Sequence, residues 1–426
     1  MDYSRGGNKM MKKTLSCEAL HGAVYFAPDM LRHCCKRFHR NGKMQGDVEI
    51  FKVSSPEDIT FEKIVEHKKK LYDDINAGKE TPCTGCPWLV ADHWKPIEEM
   101  KIKHVSVEVH SVCNLKCTYC SDIYYGGKLP NYDIQKIIKD FVSQGVVAKD
   151  VSLVWGGGEP GLLKNFDKVF PDIVNTLNPN SNYIFTNAII FKDVIAEYLK
   201  NNAATIVVSV DAGTPETFKE IRGADTFEKV FHSLERYAAM EGQNVIIKYI
   251  LMEGNSSKEE MLGFVENVRK HHLEKCTFQI SANYKLDGIA DEGIEAAFFL
   301  YKRLKDLGIQ LINFDDHLKP RIKKLTAVNS KIAEPIIVWG AGEYARRLMQ
   351  TDKFFRQNRI KFFVDKNPEK QGQEFLGYQV KAPQEILKDN ESKFFIASAL
   401  NFKKIYEELV NTLGVSPERI IDNPAL

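Results

Sequence analysis

The sequence has no long apolar run, no large excess of one charge, no internal repeat and no low-complexity tract. Because a membrane-spanning helix needs about 18 or more apolar residues in a row, the sequence predicts no membrane partner. The 59 basic and 57 acidic residues give a formal net charge of +2. That balance excludes the strongly basic surface typical of proteins that bind nucleic acid or anionic lipid. We therefore expect a cytoplasmic protein that binds neither.

The composition is that of an ordinary globular protein. The 426 residues, 43% hydrophobic and 27% charged, suggest two or three domains with ample core. Cysteine is unevenly spread, which argues against a disulfide framework in a chain of this size and favours metal binding. We interpret Cys276, which is alone in a strand-like run, as a small buried apolar residue. The other cysteines are Cys17, Cys34, Cys35, Cys83, Cys86, Cys113, Cys117 and Cys120.

Three of these cysteines form a C-x3-C-x2-C triplet directly after the strand-like run 104–109. This spacing allows Cys113, Cys117 and Cys120 to converge on one iron–sulfur cube, each binding one iron. The fourth iron then has no protein ligand, and an open metal site is where a substrate or cofactor binds. The alternative is a closed zinc knuckle, which needs a fourth Cys or His; His110 is the only nearby candidate.

Residues 101–325 alternate strand-like and helix-like segments, a pattern typical of βα units around a parallel sheet. The predicted strands are Val105–Val109, Val151–Trp155, Tyr183–Thr186, Thr205–Val210, Asn244–Leu251 and Thr277–Ile280. The predicted helices include Tyr132–Gln144, Phe191–Asn201, Thr226–Met240 and Lys258–His271. An α/β domain follows from this pattern.

The cysteine triplet resembles the signature of the radical S-adenosylmethionine (SAM) superfamily. The Gly-Gly-Glu-Pro turn formed by Gly157, Gly158, Glu159 and Pro160 at the end of the next strand strengthens the resemblance. The resemblance implies a partial (β/α)6 TIM-type barrel whose reactive ends are the C-terminal ends of its strands. It also implies that the open iron binds SAM, that Tyr119 lies near the adenine, and that the Gly-rich turn holds the amino group of SAM.

Further SAM contacts are predicted at the next two strand ends. Asn187 ends the third strand, and Ser209 and Asp211 end the fourth. Their hydroxyl, amide and carboxylate groups suit the ribose hydroxyls and the methionyl part of SAM. Arg222 is a candidate partner for the SAM carboxylate, since arginine pairs with planar anions in a bidentate manner; an ordinary surface arginine is the alternative.

The resemblance further implies the chemistry. A reduced 4Fe-4S cluster passes one electron to SAM, which breaks into methionine and a 5′-deoxyadenosyl radical, and that radical abstracts hydrogen from the substrate. Enzymes of this type act as oxidoreductases or isomerases and need a flavodoxin- or ferredoxin-type electron donor. The sequence does not select a general acid or base. The side chains that remain available for that role are His232, His271, His272, Tyr284 and Asp315.

Residues 1–100 form a second, cysteine-rich segment. Its C-x2-C pair and upstream cysteines resemble the SPASM or twitch segments that hold an auxiliary iron–sulfur cluster, although those segments usually follow the barrel. We predict Cys17, Cys34, Cys83 and Cys86 as ligands, with Cys35 as the substitute for Cys34. Structural zinc and the absence of any metal are the alternatives.

Residues 333–426 restart the strand–turn–helix pattern and resemble small Rossmann-like domains. Predicted strands are Pro335–Trp339, Lys361–Val364 and Lys393–Ala397. Gly340 and Gly342 fit a dinucleotide-binding turn, and Asp365 is placed to accept a ribose hydroxyl of NAD or another nucleotide. A structural or substrate-presenting role for this domain is the alternative.

These features predict a radical SAM enzyme acting on a saccharide or a nucleotide-linked small molecule. A peptide-modifying maturase of the SPASM type is the second hypothesis. A non-catalytic iron–sulfur or zinc protein is the third.

Overall fold

The computed structural model describes residues 13–121, 126–309, 311–319, 321–322, 332–351, 353–398 and 401–421. The chain divides into two compact units, Met1–Gln310 and Leu311–Leu426. The predicted boundary at residue 100 therefore lies inside unit 1. Within the described ranges no helix combines the length and apolar character needed to cross a bilayer.

Unit 1 is an α/β unit. Its strands are β1 (Thr14–Ser16), β2 (Ala23–Ala27), β3 (Met30–Arg32), β4 (Arg37–Arg40), β5 (Lys43–Gly46), β6 (Glu49–Lys52), β7 (Val90–Asp92), β8 (Ile102–Val107), β9 (Val147–Trp155), β10 (Ser181–Phe185), β11 (Thr205–Ser209), β12 (Val245–Leu251) and β13 (Thr277–Ala282). Its helices are α1 (Glu18–Gly22), α2 (Phe61–Asn76), α3 (Ile134–Ser143), α4 (Phe166–Leu177), α5 (Asp193–Lys200), α6 (Pro215–Arg222), α7 (Phe227–Glu241), α8 (Lys258–Lys270) and α9 (Asp291–Asp306).

The main sheet of unit 1 runs β13-β12-β11-β10-β9-β8-β2-β3-β6. Strands β8 to β13 are parallel neighbours in chain order, with a helix between each successive pair. The six strands predicted for this region are confirmed, as are the four helices. The N-terminal extension was not predicted: β2 pairs in parallel with β8, and β3 and β6 continue the sheet in antiparallel pairing.

Apolar periodicity explains why these segments fold as they do. Helix α3 buries Ile134, Ile137, Ile138 and Phe141, which lie on one helical face, and the Asp133 carboxylate caps its first turn. Strand β9 contributes Trp155, which is 1% exposed and packs against aromatic rings of α4. Since each large apolar side chain contributes about 1.5–3 kcal/mol on burial, this helix–sheet contact holds the strand ends in fixed positions.

Unit 2 is a smaller α/β unit. Its strands are β14 (Ile312–Phe314), β15 (Ile336–Trp339), β16 (Ile360–Val364), β17 (Glu374–Phe375), β18 (Tyr378–Lys381) and β19 (Lys393–Ile396), and its helices are α10 (Glu343–Thr351), α11 (Lys353–Gln357) and α12 (Phe402–Glu407). The sheet order is β17-β18-β16-β15-β19, parallel except for the β17–β18 pair. Successive residues of β15 point to opposite faces of the sheet, and each face has its own apolar core. Val338 belongs to one core and Trp339 to the other, so both faces of the sheet are covered. The three strands predicted here are confirmed.

Candidate functional site

The cysteine triplet lies in the loop that leaves β8. The loop is fixed to the end of α6, because Lys116 N–H donates to the Arg222 carbonyl (3.0 Å) and Thr118 N–H to the Ile221 carbonyl (2.9 Å). A tight turn follows, in which Cys120 N–H donates to the Cys117 carbonyl (3.1 Å). The pKa of the Cys117 thiol is raised to about 11, mainly by burial, and Asp211 and the nearby Cys120 and Cys113 thiols contribute to the rise. The loop therefore brings the three predicted iron ligands together.

Cations surround these thiols. The Arg222 guanidinium opposes the burial-driven rise in the pKa of Cys113 and Cys117, and Lys285 and Arg37 do the same for Cys120. Because metals bind cysteine as the thiolate, positive charge at this place favours cluster binding. Among the residues that the structure describes, no three Cys, His, Asp or Glu side chains are gathered tightly enough for a single ion. A 4Fe-4S cluster does not require its cysteine ligands to surround a single ion, since each thiolate binds a different iron.

The Gly-rich turn after β9 packs directly on the cysteine loop. Gly158 N–H donates to the His110 carbonyl (2.8 Å), and Glu159 N–H donates to the Val112 carbonyl (2.8 Å). A Cβ atom on Gly158 would lie 2.1 Å from the Val112 carbonyl oxygen, and Gly157 has a φ of +90°. Glycine is required here because the two loops approach each other closely.

The Glu159 carboxylate joins two strand ends. It accepts hydrogen bonds from the Asn187 N–H (2.7 Å), the Thr186 hydroxyl (2.7 Å) and the Gly161 N–H (3.2 Å). The side-chain amide of Asn187 donates to Asn114 Oδ1 (2.7 Å) and lies 3.8 Å from Cys113 Sγ. The structure thus places Glu159 and Asn187 at the cysteine loop, with the Glu159 carboxylate bound to protein groups.

Asp211, Tyr119 and Arg222 form a buried network beside the triplet. Asp211 is fully buried and accepts hydrogen bonds from the Ile250 N–H (2.7 Å), the Tyr119 hydroxyl (2.5 Å) and Arg222 Nη1 (3.1 Å). The Arg222 guanidinium also lies over the Tyr119 ring, 5.5 Å from its centroid. Its Nε is buried and has no hydrogen-bond partner. An unpartnered donor on a buried cation suits an anionic ligand, such as the carboxylate of SAM.

Ser209 belongs to a row of polar side chains that cross three parallel strands. It pairs with Lys248 of β12, which pairs with Gln279 of β13. Laterally paired residues point to the same face of a sheet, so all three line one surface. Lys248 and Gln279 were not predicted as site residues. The sequence feature that could have identified them is a polar residue in the middle of an otherwise apolar strand.

The N-terminal cysteines come together through strand pairing. The antiparallel β1–β7 pair places Ser16 opposite Val90, which brings Cys17 towards the C-x2-C turn. The β2–β3 hairpin then returns Cys34 to the region of α1. Burial raises the pKa of Cys83 to about 12, and the neighbouring thiols of Cys34, Cys17 and Cys86 contribute to the rise. The four predicted ligands are therefore neighbours in the fold.

Cys35 has a side-chain contact outside this group. Its Sγ lies 3.5 Å from the Tyr25 hydroxyl. The structure thus favours Cys34 over Cys35 as the fourth ligand.

One aromatic contact connects the two cysteine regions. The Arg37 guanidinium stacks on Tyr284, 4.3 Å from the ring centroid. The Tyr284 hydroxyl donates to the Tyr119 carbonyl (2.8 Å), and Lys285 Nζ donates to the Thr118 carbonyl (3.3 Å). The loop after β13 therefore contacts both the cysteine triplet and the segment that follows Cys35.

The other candidates for acid–base chemistry lie elsewhere. The His232 side chain is 71% exposed on α7, and His271 Nδ1 lies 3.2 Å from Glu235. His272 is exposed at the end of α8, and Asp315 belongs to unit 2. Within unit 1, Tyr284 is the candidate with a hydrogen bond to the cysteine loop.

The glycine turn of unit 2 is closed by its own aspartate. Gly340 has a φ of +112°, and the Asp365 carboxylate accepts hydrogen bonds from the Ala341 N–H (3.0 Å), the Asn367 N–H (2.9 Å) and Lys370 Nζ (3.1 Å). A Cβ on Gly342 would meet only open space. Nucleotide binding by Gly340, Gly342 and Asp365 stays a prediction.

The site residues described above lie near the C-terminal ends of the parallel strands of an α/β unit. Residues 107–267 match the model of the Radical SAM superfamily, and residues 332–421 match the model described as C2185-like, N-terminal. Residues 107–267 of the chain therefore form a radical SAM domain. The predicted resemblance is confirmed. The family implies a 4Fe-4S cluster and SAM as cofactors, and the three thiols with the unpartnered Arg222 Nε fit them.

One relative is the GTP 3',8-cyclase of Vibrio parahaemolyticus, which is 24% identical over 207 residues, or 47% of this chain and 60% of the relative. Another is the GTP 3',8-cyclase of Clostridium botulinum strain Okra, which is 30% identical over 182 residues, or 41% of this chain and 54% of the relative. The chain thus spans little more than half of the length of these relatives. Similar solved structures include Streptococcus suis SuiB bound to its precursor peptide SuiA, with a TM-score of 0.43, 13% identity and coverage of 83% of this chain and 82% of SuiB. Another is anSMEcpe with bound AdoMet and a peptide, with a TM-score of 0.39, 20% identity and coverage of 49% and 62%.

Proposed function

We propose that Cys113, Cys117 and Cys120 hold the 4Fe-4S cluster at which SAM binds, and that the enzyme abstracts hydrogen from its substrate. When bound, the cluster supplies the electron that splits SAM into methionine and a 5′-deoxyadenosyl radical. The observation that carries this proposal is the convergence of three thiols on one loop beside the buried, partly unpartnered guanidinium of Arg222.

The surrounding residues have distinct proposed roles. Arg222 pairs with the SAM carboxylate through its unpartnered Nε, while Asp211 holds Arg222 and Tyr119 in place. Tyr119 provides a ring for the adenine. Asn187 and Ser209, at the ends of β10 and β11, bind the ribose and methionyl parts. The turn Gly157–Glu159 presents backbone carbonyls to the amino group, because its amides at 158 and 159 already bond the cysteine loop.

We further propose that the six βα units from β8 to β13 curve into a partial TIM-type barrel. Their parallel, sequential strand order supports this arrangement. Unit 2 is proposed to be Rossmann-like, since its central strands are parallel and a Gly-rich turn joins β15 to α10.

The proposed substrate is a saccharide or nucleotide-linked small molecule with an anionic group. The polar row of Ser209, Lys248 and Gln279 supports it, because a half-buried lysine beside hydroxyl and amide groups suits a phosphate or carboxylate. The names of the curated relatives refer to a nucleotide, GTP. A flavodoxin- or ferredoxin-type protein is proposed as the electron donor.

A second metal centre is proposed at Cys17, Cys34, Cys83 and Cys86. The mutual proximity of the four thiols supports it, and so does the C-x2-C turn, in which Cys86 N–H donates to the Cys83 carbonyl (3.0 Å). Four thiolates that are not gathered tightly enough for a single ion suit a 4Fe-4S cluster better than zinc. Measured iron, sulfide and zinc contents distinguish the two.

The central test is anaerobic reconstitution followed by reduction in the presence of SAM. The wild-type protein should release 5′-deoxyadenosine, and Cys117→Ala should not. Cys276→Ala is the matched control, since Cys276 is buried outside both cysteine groups and its loss should leave cleavage intact. Equal SAM cleavage by wild type and Cys117→Ala would contradict the proposal. Transfer of substrate hydrogen into 5′-deoxyadenosine from a nucleotide sugar, rather than from a peptide, would support the small-molecule substrate.

A further inference from the structure

Helix α2 carries a lysine on its buried face. Its buried residues are Ile64, Lys68 and Ile75, and Lys68 is fully buried. An ammonium group removed from water is costly unless hydrogen bonds and an opposite charge compensate it. The position of Lys68 therefore requires an explanation.

The neighbours of the Lys68 ammonium in the structure are neutral. Its Nζ donates to the Ala19 carbonyl (3.1 Å) and lies 3.4 Å from Nδ1 of His33. No carboxylate within the described ranges forms an ion pair with it. These two contacts leave one of its three N–H groups without a partner.

The same two contacts place Lys68 at the N-terminal cysteines. Ala19 lies two residues after Cys17, and His33 directly precedes Cys34. The ammonium is thus held between the two chain segments that carry these thiols. The remaining proposed ligands, Cys83 and Cys86, are neighbours of the same thiols.

We infer that Lys68 supplies the buried positive charge that stabilises the metal-bound thiolates of Cys17 and Cys34. This inference rests on the proposed second metal centre. Four thiolates outweigh the positive charge of a zinc ion or of a 4Fe-4S core, so a buried centre of this kind is anionic and gains from an adjacent ammonium. The third N–H of Lys68 then has an acceptor in a bound sulfur.

A purely structural role explains the lysine less well. The Ala19 carbonyl already accepts a hydrogen bond from the Ala23 N–H, so it does not depend on Lys68. An apolar side chain of the same length would fill the space without a buried charge. If Lys68 had only a structural role, replacing it would destabilise the metal-free protein and leave metal retention unchanged. If it stabilises bound thiolates, the replacement should weaken metal retention and leave the metal-free protein stable.

The experiment uses the full chain with Cys113, Cys117 and Cys120 replaced by alanine, so that only the N-terminal centre binds metal. In this background Lys68→Met is compared with Lys70→Met, whose lysine is on the same helix, 76% exposed and paired with Asp74. For each variant we measure the iron, sulfide and zinc contents, the resistance of the bound metal to a chelator and the reduction potential of any cluster. The thermal stability of the metal-free protein is measured as well.

We expect Lys68→Met to weaken metal retention by about 10- to 100-fold, as changes in groups that support metal ligands do. The reduction potential of a cluster should become more negative, because the reduced state loses a nearby positive charge. The metal-free Lys68→Met protein should be at least as stable as its parent. Lys70→Met should match the parent in each measurement.

Unchanged metal retention and potential in Lys68→Met would overturn the inference while leaving the second centre in place. The triple-alanine protein could also bind no more metal than the same protein with Cys83→Ala added. That result would reject the second metal centre, and with it the proposed role of Lys68.

Discussion

The two cysteine regions of this enzyme share a local turn but are assembled differently. In both C-x2-C pairs the second cysteine donates its N–H to the carbonyl of the first, at 3.1 Å in Cys117–Cys120 and 3.0 Å in Cys83–Cys86. The triplet takes all its thiols from one loop. The N-terminal group takes its thiols from segments separated by strands β2 to β6 and helices α1 and α2.

This difference affects how each region depends on the fold. One loop fixed to α6 and to the Gly-rich turn brings Cys113, Cys117 and Cys120 together. The N-terminal group instead depends on the β1–β7 pair and the β2–β3 hairpin, which join distant chain segments. Each region also has its own buried cation, Arg222 in one and Lys68 in the other. Arg222 has the carboxylate of Asp211 beside it, whereas the neighbours of Lys68 are neutral.

The largest effect is expected when one cysteine is removed from each proposed metal centre in turn. Cys117→Ala should abolish release of 5′-deoxyadenosine and lose about four irons per chain, since one cube holds four. Cys83→Ala should lose the metal of the N-terminal region and retain SAM cleavage. Metal analysis and cleavage assays of both variants, reconstituted in parallel, provide the measurement. Loss of both metal contents in either single variant would show that the centres are not independent.

The next effect concerns two adjacent cysteines. Cys34→Ala should remove the N-terminal metal, because its thiol lies with Cys17, Cys83 and Cys86. Cys35→Ala should retain it, since Cys35 Sγ contacts the Tyr25 hydroxyl instead. Metal content of the two variants provides the measurement. The reverse result would assign Cys35 as the ligand.

A smaller effect is expected in the buried ion pair beside the triplet. Asp211→Asn keeps the shape and tolerates the φ of +61° at this position, but it leaves the Arg222 charge without a carboxylate. We expect a loss of about 3–5 kcal/mol in unfolding free energy, the usual cost of breaking a buried ion pair, and weaker SAM binding. Urea unfolding and SAM titration test this, with Asp167→Asn, whose side chain is 63% exposed, as the control.

The smallest effect concerns the contact between the two regions. Tyr284→Phe removes the hydroxyl that bonds the Tyr119 carbonyl while keeping a ring under the Arg37 guanidinium. The expected loss is about 1 kcal/mol in unfolding free energy, the net value of one hydrogen bond. A much larger loss, or a change in the metal content of the N-terminal region, would mean that the two cysteine regions are coupled through this ring.

Sequence patterns were sufficient where the information is local. The strand–helix alternation predicted β8 to β13, and the spacing of Cys113, Cys117 and Cys120 predicted a shared ligand loop, since both depend on residues close in the chain. The N-terminal strands were not predicted. Strands β2, β3 and β6 join the main sheet through pairings that no short-range pattern specifies.

By itself, the sequence determined the α/β class, the shared loop of the three cysteines and the resemblance to the radical SAM superfamily. Only the tertiary structure decided which side chains contact one another around the cysteines. It showed Asp211 as the buried partner of Tyr119 and Arg222, and it placed the Lys68 ammonium between the segments that carry Cys17 and Cys34. The physical reason is that charge compensation and burial depend on contacts between residues far apart in the chain, which local patterns do not record.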